Sequence, residues 1–420
     1  MPSVRRVLFV FAAAAAAALA IAPPAAAGRT IRLKVPRFVV PPRSDLEVCT
    51  FVRLPMRKTF NLGGSVIANV GINSTFTSHH FLMWVYEGTD LNAFPPKGQL
   101  VPSKACLDFG PTDTNRRTLI GGSQQPFLKV RLPDGLAQQI KPTVSGGQQA
   151  VGIILNSHWI NGANKPQRAA VKIKLIAAKP HTVRRFVVPI FEVTANAYIG
   201  VPPGQEHTEH GYWGPGSLDF NGSLGGGSVP DMNATACVVG VTSHMHKRGV
   251  MFTIDLVQGP VDILGFGPET EQVLTPNILR TTEYTDPPQV SLMNSGGGMP
   301  LHPNEYLRYT CTHDNTGKDP TRPMKMGCEE KPGVPPGESI LQLILQGKVD
   351  LNSGSAITGA ARRCSSDTDC AGFGTGKCVP ANLVFGFTSD DDMCIMPGGY
   401  YDADASGNCD VMTFPVEPNG

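Results

Sequence analysis

Val171-Lys172-Ile173-Lys174-Leu175 alternates apolar and basic side chains, which is the signature of a β-strand with one packed face and one wet face. Similar strand text lies on either side of it. Upstream are Ile31-Arg32-Leu33-Lys34-Val35, Phe81-Leu82-Met83-Trp84-Val85-Tyr86 and Val151-Gly152-Ile153-Ile154-Leu155. Downstream are Ala236-Cys237-Val238-Val239-Gly240-Val241, Val250-Met251-Phe252-Thr253-Ile254, Tyr306-Leu307-Arg308-Tyr309-Thr310 and Ile340-Leu341-Gln342-Leu343-Ile344-Leu345. The chain has 46 glycines and 37 prolines in 420 residues, and they break these runs into short pieces with turns between them. Helical periodicity is scarce. The pattern predicts an all-β protein of sandwich type. Pro180 to Pro189 reads as a crossing between two halves, and Gly211 to Ser228 as a long loop rich in glycine and small polar residues.

The first residues predict export. Arg5 and Arg6 give a basic start, Val7 to Ala22 is apolar, Pro23-Pro24 breaks the run, and Ala25-Ala26-Ala27 precedes Gly28. That layout is a secretory signal peptide, residues 1–27, cleaved after about Ala27 to release a periplasmic or secreted protein. A single anchoring helix is the competing reading. No later stretch is apolar enough to span a bilayer, so no membrane association is expected after cleavage. Net charge is only +2 with 17% charged residues, which excludes nucleic acid as an expected partner.

All ten cysteines follow the leader: Cys49, Cys106, Cys237, Cys311, Cys328, Cys364, Cys370, Cys378, Cys394 and Cys409. An even number in an exported chain predicts disulfides. The segment from Asp350 to Phe387 is Ser/Gly/Asp-rich and contains Cys364, Cys370 and Cys378 without paired CxxC spacing; it reads as a disulfide-stapled insertion rather than a zinc knuckle. Oxidised cysteine is no thiolate ligand, so a metal here must use His, Met or carboxylate.

The histidines therefore carry information. In Ser243-His244-Met245-His246, residues i and i+2 of a strand share a face, so two imidazoles can grip one metal. An HxH on a solvated face is the bland alternative. His79 and His80 are adjacent, so both can serve one metal only at a strand end, a bend or a bulge; the turn-like Gly71 to Thr77 is a candidate for that bend. His158, in Asn156-Ser157-His158-Trp159, can complete a three-imidazole set, or can be a structural His beside Trp. Met393 sits in polar text between Asp390-Asp391-Asp392 and Cys394, where a thioether has no core to fill, and as a ligand it would select copper. Met324 and Met326 compete for that role on chemistry alone. His207 and His210, with Glu206 and Glu209, read as a solvated loop cluster, and His302 and His313 as single residues in turn-rich text.

Taken in order, these residues resemble the copper type II, ascorbate-dependent monooxygenases, the family of peptidylglycine alpha-hydroxylating monooxygenase and dopamine beta-monooxygenase. The matching features are the pair His79-His80, the single His158, His244-Met245-His246-Lys247-Arg248-Gly249, and Met393-Cys394 preceded by Ser389-Asp390-Asp391-Asp392. The likeness runs from about Val39 to Tyr401 apart from the insertion. It implies two tandem antiparallel jelly-roll β-sandwich domains, residues 28–183 and 184–420, with the insertion at about 350–387 in the second. It implies two coppers per chain: an electron-storage site on His79, His80 and His158, and a catalytic site on His244, His246 and Met393 that hydroxylates a substrate C–H bond with O2. Ascorbate is the implied reductant, a small molecule or peptide the substrate, and a monomer the working form. It also implies a Cys311–Cys394 bridge and places Cys49 and Cys106 where the first domain's bridge would be. The chain departs from the peptide-amidating enzymes at three positions. Thr242 stands where those enzymes place an Arg for the substrate carboxylate, and Ile395 and Pro397 stand in place of their Asn and Tyr, so a glycine-extended peptide is not implied. A non-enzymatic exported copper-binding or redox protein with the same sites is the alternative, and a glycan-processing or binding protein with incidental histidines is a third reading.

Overall fold

The computed structural model describes residues 29–420 apart from 87–90, 95–97, 103–116, 146, 198–203, 218–228, 247, 261–269, 285–286, 295, 319–325, 329–365, 372–376, 381–392 and 418–420. The residues expected to form a leader, Ile340 to Leu345 and most of the segment expected to be an insertion lie outside the described residues. Among the described residues no helix is long and apolar enough to cross a membrane.

The chain folds into two antiparallel jelly-roll-like sandwiches. The first pairs a sheet in the order Thr30–Val40, Gln167–Ala177, Phe60–Val70, Leu136–Ile140, Arg185–Phe186 with a sheet in the order Leu100–Pro102, Ser44–Leu54, Gln148–Asn161, Phe76–Tyr86, Arg117–Ser123. Val171, Ile173 and Leu175 point into the core while Lys172 and Lys174 are exposed, as the alternation predicts. Phe76, Phe81, Met83, Trp159 and Ile67 complete a core in which Phe76 and Trp159 stack at 4.9 Å. The second sandwich sets Val188–Glu192, Cys394–Asp402, Ala236–Val241 and Val290–Ser291 against Glu206–Trp213, Glu305–Asp314, Gly249–Gln258 and Gln272–Thr281. Its core holds Trp213, Phe252, Tyr309 and Tyr400.

Two disulfides are seen in the second sandwich. Cys311–Cys394 ties its two sheets together, as the resemblance implied, and Cys237–Cys409 pins the C-terminal segment. Cys49 is also disulfide-bonded, while Cys106 lies outside the described residues. Within the insertion, Cys378–Pro380 pairs with Met326–Cys328, with Cys378 opposite Cys328.

The crossing between the halves differs from its sequence reading. Arg185–Phe186 still adds to the first sheet, as the only parallel pairing among the described strands, and Val188–Glu192 starts the second sandwich. The segment begun at Gly211 is not all loop, since Glu206–Trp213 is an edge strand paired with Glu305–Asp314. His207 and His210 therefore sit on a strand and face opposite ways. A buried polar knot fixes the entry to this half: Glu192, fully buried, accepts from the Thr194 N–H at 2.6 Å and from the Thr194 hydroxyl, and the Tyr309 hydroxyl accepts from the Ala195 N–H at 2.9 Å. Leu136, Val187, Tyr401, Val411 and Phe414 form an apolar cluster joining the two sandwiches, with the Arg185 guanidinium 3.6 Å over the Phe414 ring.

Candidate metal centre

On three neighbouring strands of the first sandwich, the register aligns Glu47 with His158 and His158 with His80. Their positions alternate with core residues. Val48, Leu155, Trp159 and Phe81 point inward, so Glu47, His158 and His80 line up on the opposite face, which also carries Cys49, Phe51 and Trp84. That face looks toward the second sandwich, whose Phe191 packs edge-on against Trp84 at 5.1 Å.

His79 reaches the same place through a β-bulge. Opposite His158 is His80, but opposite Trp159 is Ser78, so His79 is the extra residue on its strand. The bulge, and not the turn at Gly71 to Thr77, brings two consecutive histidines to one side. From the second sandwich, Met245 enters the core while His244 and His246 project from the other face, as a strand HxH requires.

The five imidazoles meet in one cluster. His79 lies 5.4 Å from His80, 5.0 Å from His158, 5.6 Å from His244 and 5.0 Å from His246, between ring centroids. His80 and His158 are 4.9 Å apart, and His244 and His246 5.1 Å. Two sets of ligand atoms lie within 4.8 Å of one another: His79, His244 and His246; and Glu47, His80 and His158. His80 Nε2 faces His158 Nδ1 at 3.2 Å and Glu47 Oε1 at 3.8 Å. Asn156 Nδ2 donates to Glu47 Oε1 at 2.7 Å.

Electrostatics keep His79, His80 and His244 neutral. Burial, the largest effect, and repulsion from neighbouring imidazoles hold His79, His80 and His244 well below the ordinary value of 6.5. Neutral imidazole is the ligand form. His79 Nδ1 and His80 Nδ1 are buried and lack a hydrogen-bond partner among the described residues. Such nitrogens are costly to bury unpaired, and a cation would satisfy them.

Met393 directly precedes the strand that pairs with His244 and Met245. Cys394 pairs with Met245 and Ile395 with His244, and Met393 stands one residue beyond the end of that paired ladder. The Cys311 bridge holds Cys394, and His313 Nε2 donates to the Met393 carbonyl at 3.3 Å. Of the competing methionines, Met324 lies outside the described residues and Met326 begins the strand against Cys378–Pro380. Thr242 and Pro397, two of the positions that depart from the peptide-amidating pattern, are neighbours: the Thr242 N–H donates to the Pro397 carbonyl at 2.9 Å.

Glu47 was not singled out in the sequence, and His313, read there as a single residue in turn-rich text, lies on the strand Glu305–Asp314. Both stand two residues from a bridged cysteine, Glu47 before Cys49 and His313 after Cys311. Because of that spacing each shares a strand face with its cysteine. The pair His207 and Glu209 is in direct contact on the edge strand, and burial raises the Glu209 carboxyl. His302 approaches the Thr235 hydroxyl at 3.3 Å.

Fold and site together define a two-sandwich β-protein with a histidine cluster fed by both halves. No family model and no curated protein matches the chain. Among solved structures, a chain from "Cryo-EM Atomic Structure of Broad Bean Stain Virus (BBSV)" is similar at 9% identity, over 68% of this chain and 83% of that one, with a TM-score of 0.27. A likeness that slight carries no argument.

Proposed function

We propose that the protein is an exported, copper-dependent monooxygenase that hydroxylates a C–H bond of its substrate with O2 and a one-electron reductant such as ascorbate. The observation that supports this best is the convergence of His79, His80, His158, His244 and His246, from strands of both sandwiches, into one cluster. The residues fit copper. They offer neutral imidazoles at His79 and His80, two buried ring nitrogens lacking a partner among the described residues, and a methionine, Met393, just before the strand that pairs with His244. Bound copper, cycling between Cu(I) and Cu(II), would supply the one-electron chemistry that inserting one oxygen atom of O2 requires.

The chain's own groups do the positioning. The strand bulge presents His79 beside His80, and the HxH spacing presents His244 with His246. The Cys311–Cys394 bridge and the His313 hydrogen bond hold the backbone at Met393. Phe191 packs on Trp84, on the same face of the first sandwich as His80 and His158. The test is copper reconstitution followed by oxygen electrode measurements. Two coppers per chain and oxygen uptake linked to ascorbate oxidation are expected, with the Met393→Ala protein slowed by at least about 100-fold, the scale expected for a displaced reacting group. Copper binding without any ascorbate-linked oxygen uptake would replace this reading with that of a copper carrier.

A further inference from the structure

We infer that Glu47 is a metal ligand, which with His80 and His158 forms a carboxylate–bis-imidazole site and leaves His79 to complete an all-imidazole site with His244 and His246. This rests on the reading that the cluster binds copper, and it divides the ligands differently from a storage site made of the three first-sandwich histidines.

The register supplies the first reason. Glu47, His158 and His80 occupy one row across three adjacent strands, on one face, without any bulge between Glu47 and His158. Cross-strand neighbours on one face are within reach of one another by construction. The ligand atoms confirm the reach, since all three lie within 4.8 Å of one another. The bulge gives the second reason. It displaces His79 from that row and turns it toward the other sandwich, where its ring lies as close to His246 as to His158. The third reason is the setting of the carboxylate. Asn156, two residues before His158 on the same strand and face, donates to Glu47 Oε1 at 2.7 Å. Outer partners of that kind fix the orientation of ligating groups. His80 Nε2, His158 Nδ1 and Glu47 Oε1 then face a common point, while His80 Nδ1 has no partner among the described residues.

The two sites would differ in chemistry. A carboxylate brings a negative charge and a hard oxygen donor, which favours Cu(II) over Cu(I). Three neutral imidazoles add no charge. The pair of metals would thus be unlike, and the unlike ligand is one that a histidine pattern does not reveal.

The experiment uses the full mature chain, stripped of metal and titrated with Cu(II) and, separately, with Cu(I) against a chromophoric competitor. The wild type should take up two equivalents. Glu47→Gln should weaken one Cu(II) equivalent by about 10- to 100-fold and alter its paramagnetic resonance spectrum, with a smaller effect on Cu(I). His80→Ala should act on that same equivalent. His79→Ala should act on the other one, non-additively with His244→Ala. Two unchanged Cu(II) affinities in Glu47→Gln, or His79→Ala and His80→Ala removing the same equivalent, would overturn the inference while leaving a copper protein in place. A wild type that takes up no copper would overturn both readings. Should Glu47→Gln fail to fold, Glu47→Asp withdraws the carboxylate by one methylene, and an unchanged affinity there is equally fatal.

Discussion

Acid should unfold the metal-free protein early, and the histidine cluster sets how early. In the folded chain His79, His80 and His244 titrate well below 6.5, chiefly because burial disfavours their charged forms. In the unfolded chain they take up protons near 6.5. The unfolded state therefore binds more protons than the native state below that pH, and stability must fall as pH falls. For three such groups the loss approaches about 3 kcal/mol between pH 6.5 and 5.5, and it goes on growing for as long as the native rings stay neutral. A typical domain has only about 5–15 kcal/mol in total. The assay is urea unfolding in the presence of a chelator at a series of pH values, followed by fluorescence of the buried Trp159 and Trp213. Above about pH 7.5 the midpoint should be flat with respect to these groups. The His80→Gln variant, which cannot protonate, should lose about 1 kcal/mol less between pH 6.5 and 5.5. Bound copper should move the acid limb downward, because protons and metal compete for the same nitrogens. A wild-type midpoint unchanged from pH 7.5 to 5.5, or a His80→Gln profile parallel to it, would refute the assignment of buried, neutral rings.

Replacing Cys311 and Cys394 by serine opens a loop of 83 residues and should cost about 4.5 kcal/mol on the chain-entropy account; a fall in copper retention should accompany it because the strand paired with His244 loses its anchor, and calorimetry with metal analysis reads both. Tyr309→Phe removes the acceptor for the buried Ala195 N–H and should cost about 1–3 kcal/mol in urea unfolding, with copper stoichiometry unchanged.

The two-sandwich architecture was legible where strands have one wet and one packed face, as at Val171 to Leu175, or are apolar throughout, as at Ala236 to Val241. Glu206–Trp213 was not legible, because an edge strand written Glu-His-Thr-Glu-His-Gly keeps enough polar surface to pass for loop. The imidazoles could be named from spacing, and the HxH face followed from the period of a strand. Their common meeting point could not, since it depends on how two sandwiches dock through Phe191, Trp84 and the cluster around Phe414. Cys237–Cys409 was hidden among the many possible pairings of ten cysteines. Glu47 was hidden for a different reason. Acidic residues are expected on surfaces, and only the register against His158 sets this one apart.

Strike His79 from its strand and the remaining text reads as an unbroken period-two alternation, in which Phe76, Ser78, Phe81, Met83 and Val85 share one side. The residue is thus an insertion that the sandwich tolerates but does not need for its own packing. A single-codon deletion at this position should leave the metal-free fold near its wild-type melting temperature and remove one imidazole from between the halves. For anyone transplanting the site into another β-scaffold, the lesson is one of counting. Supplying the right five histidines is insufficient unless the recipient strand is made one residue longer than its neighbours.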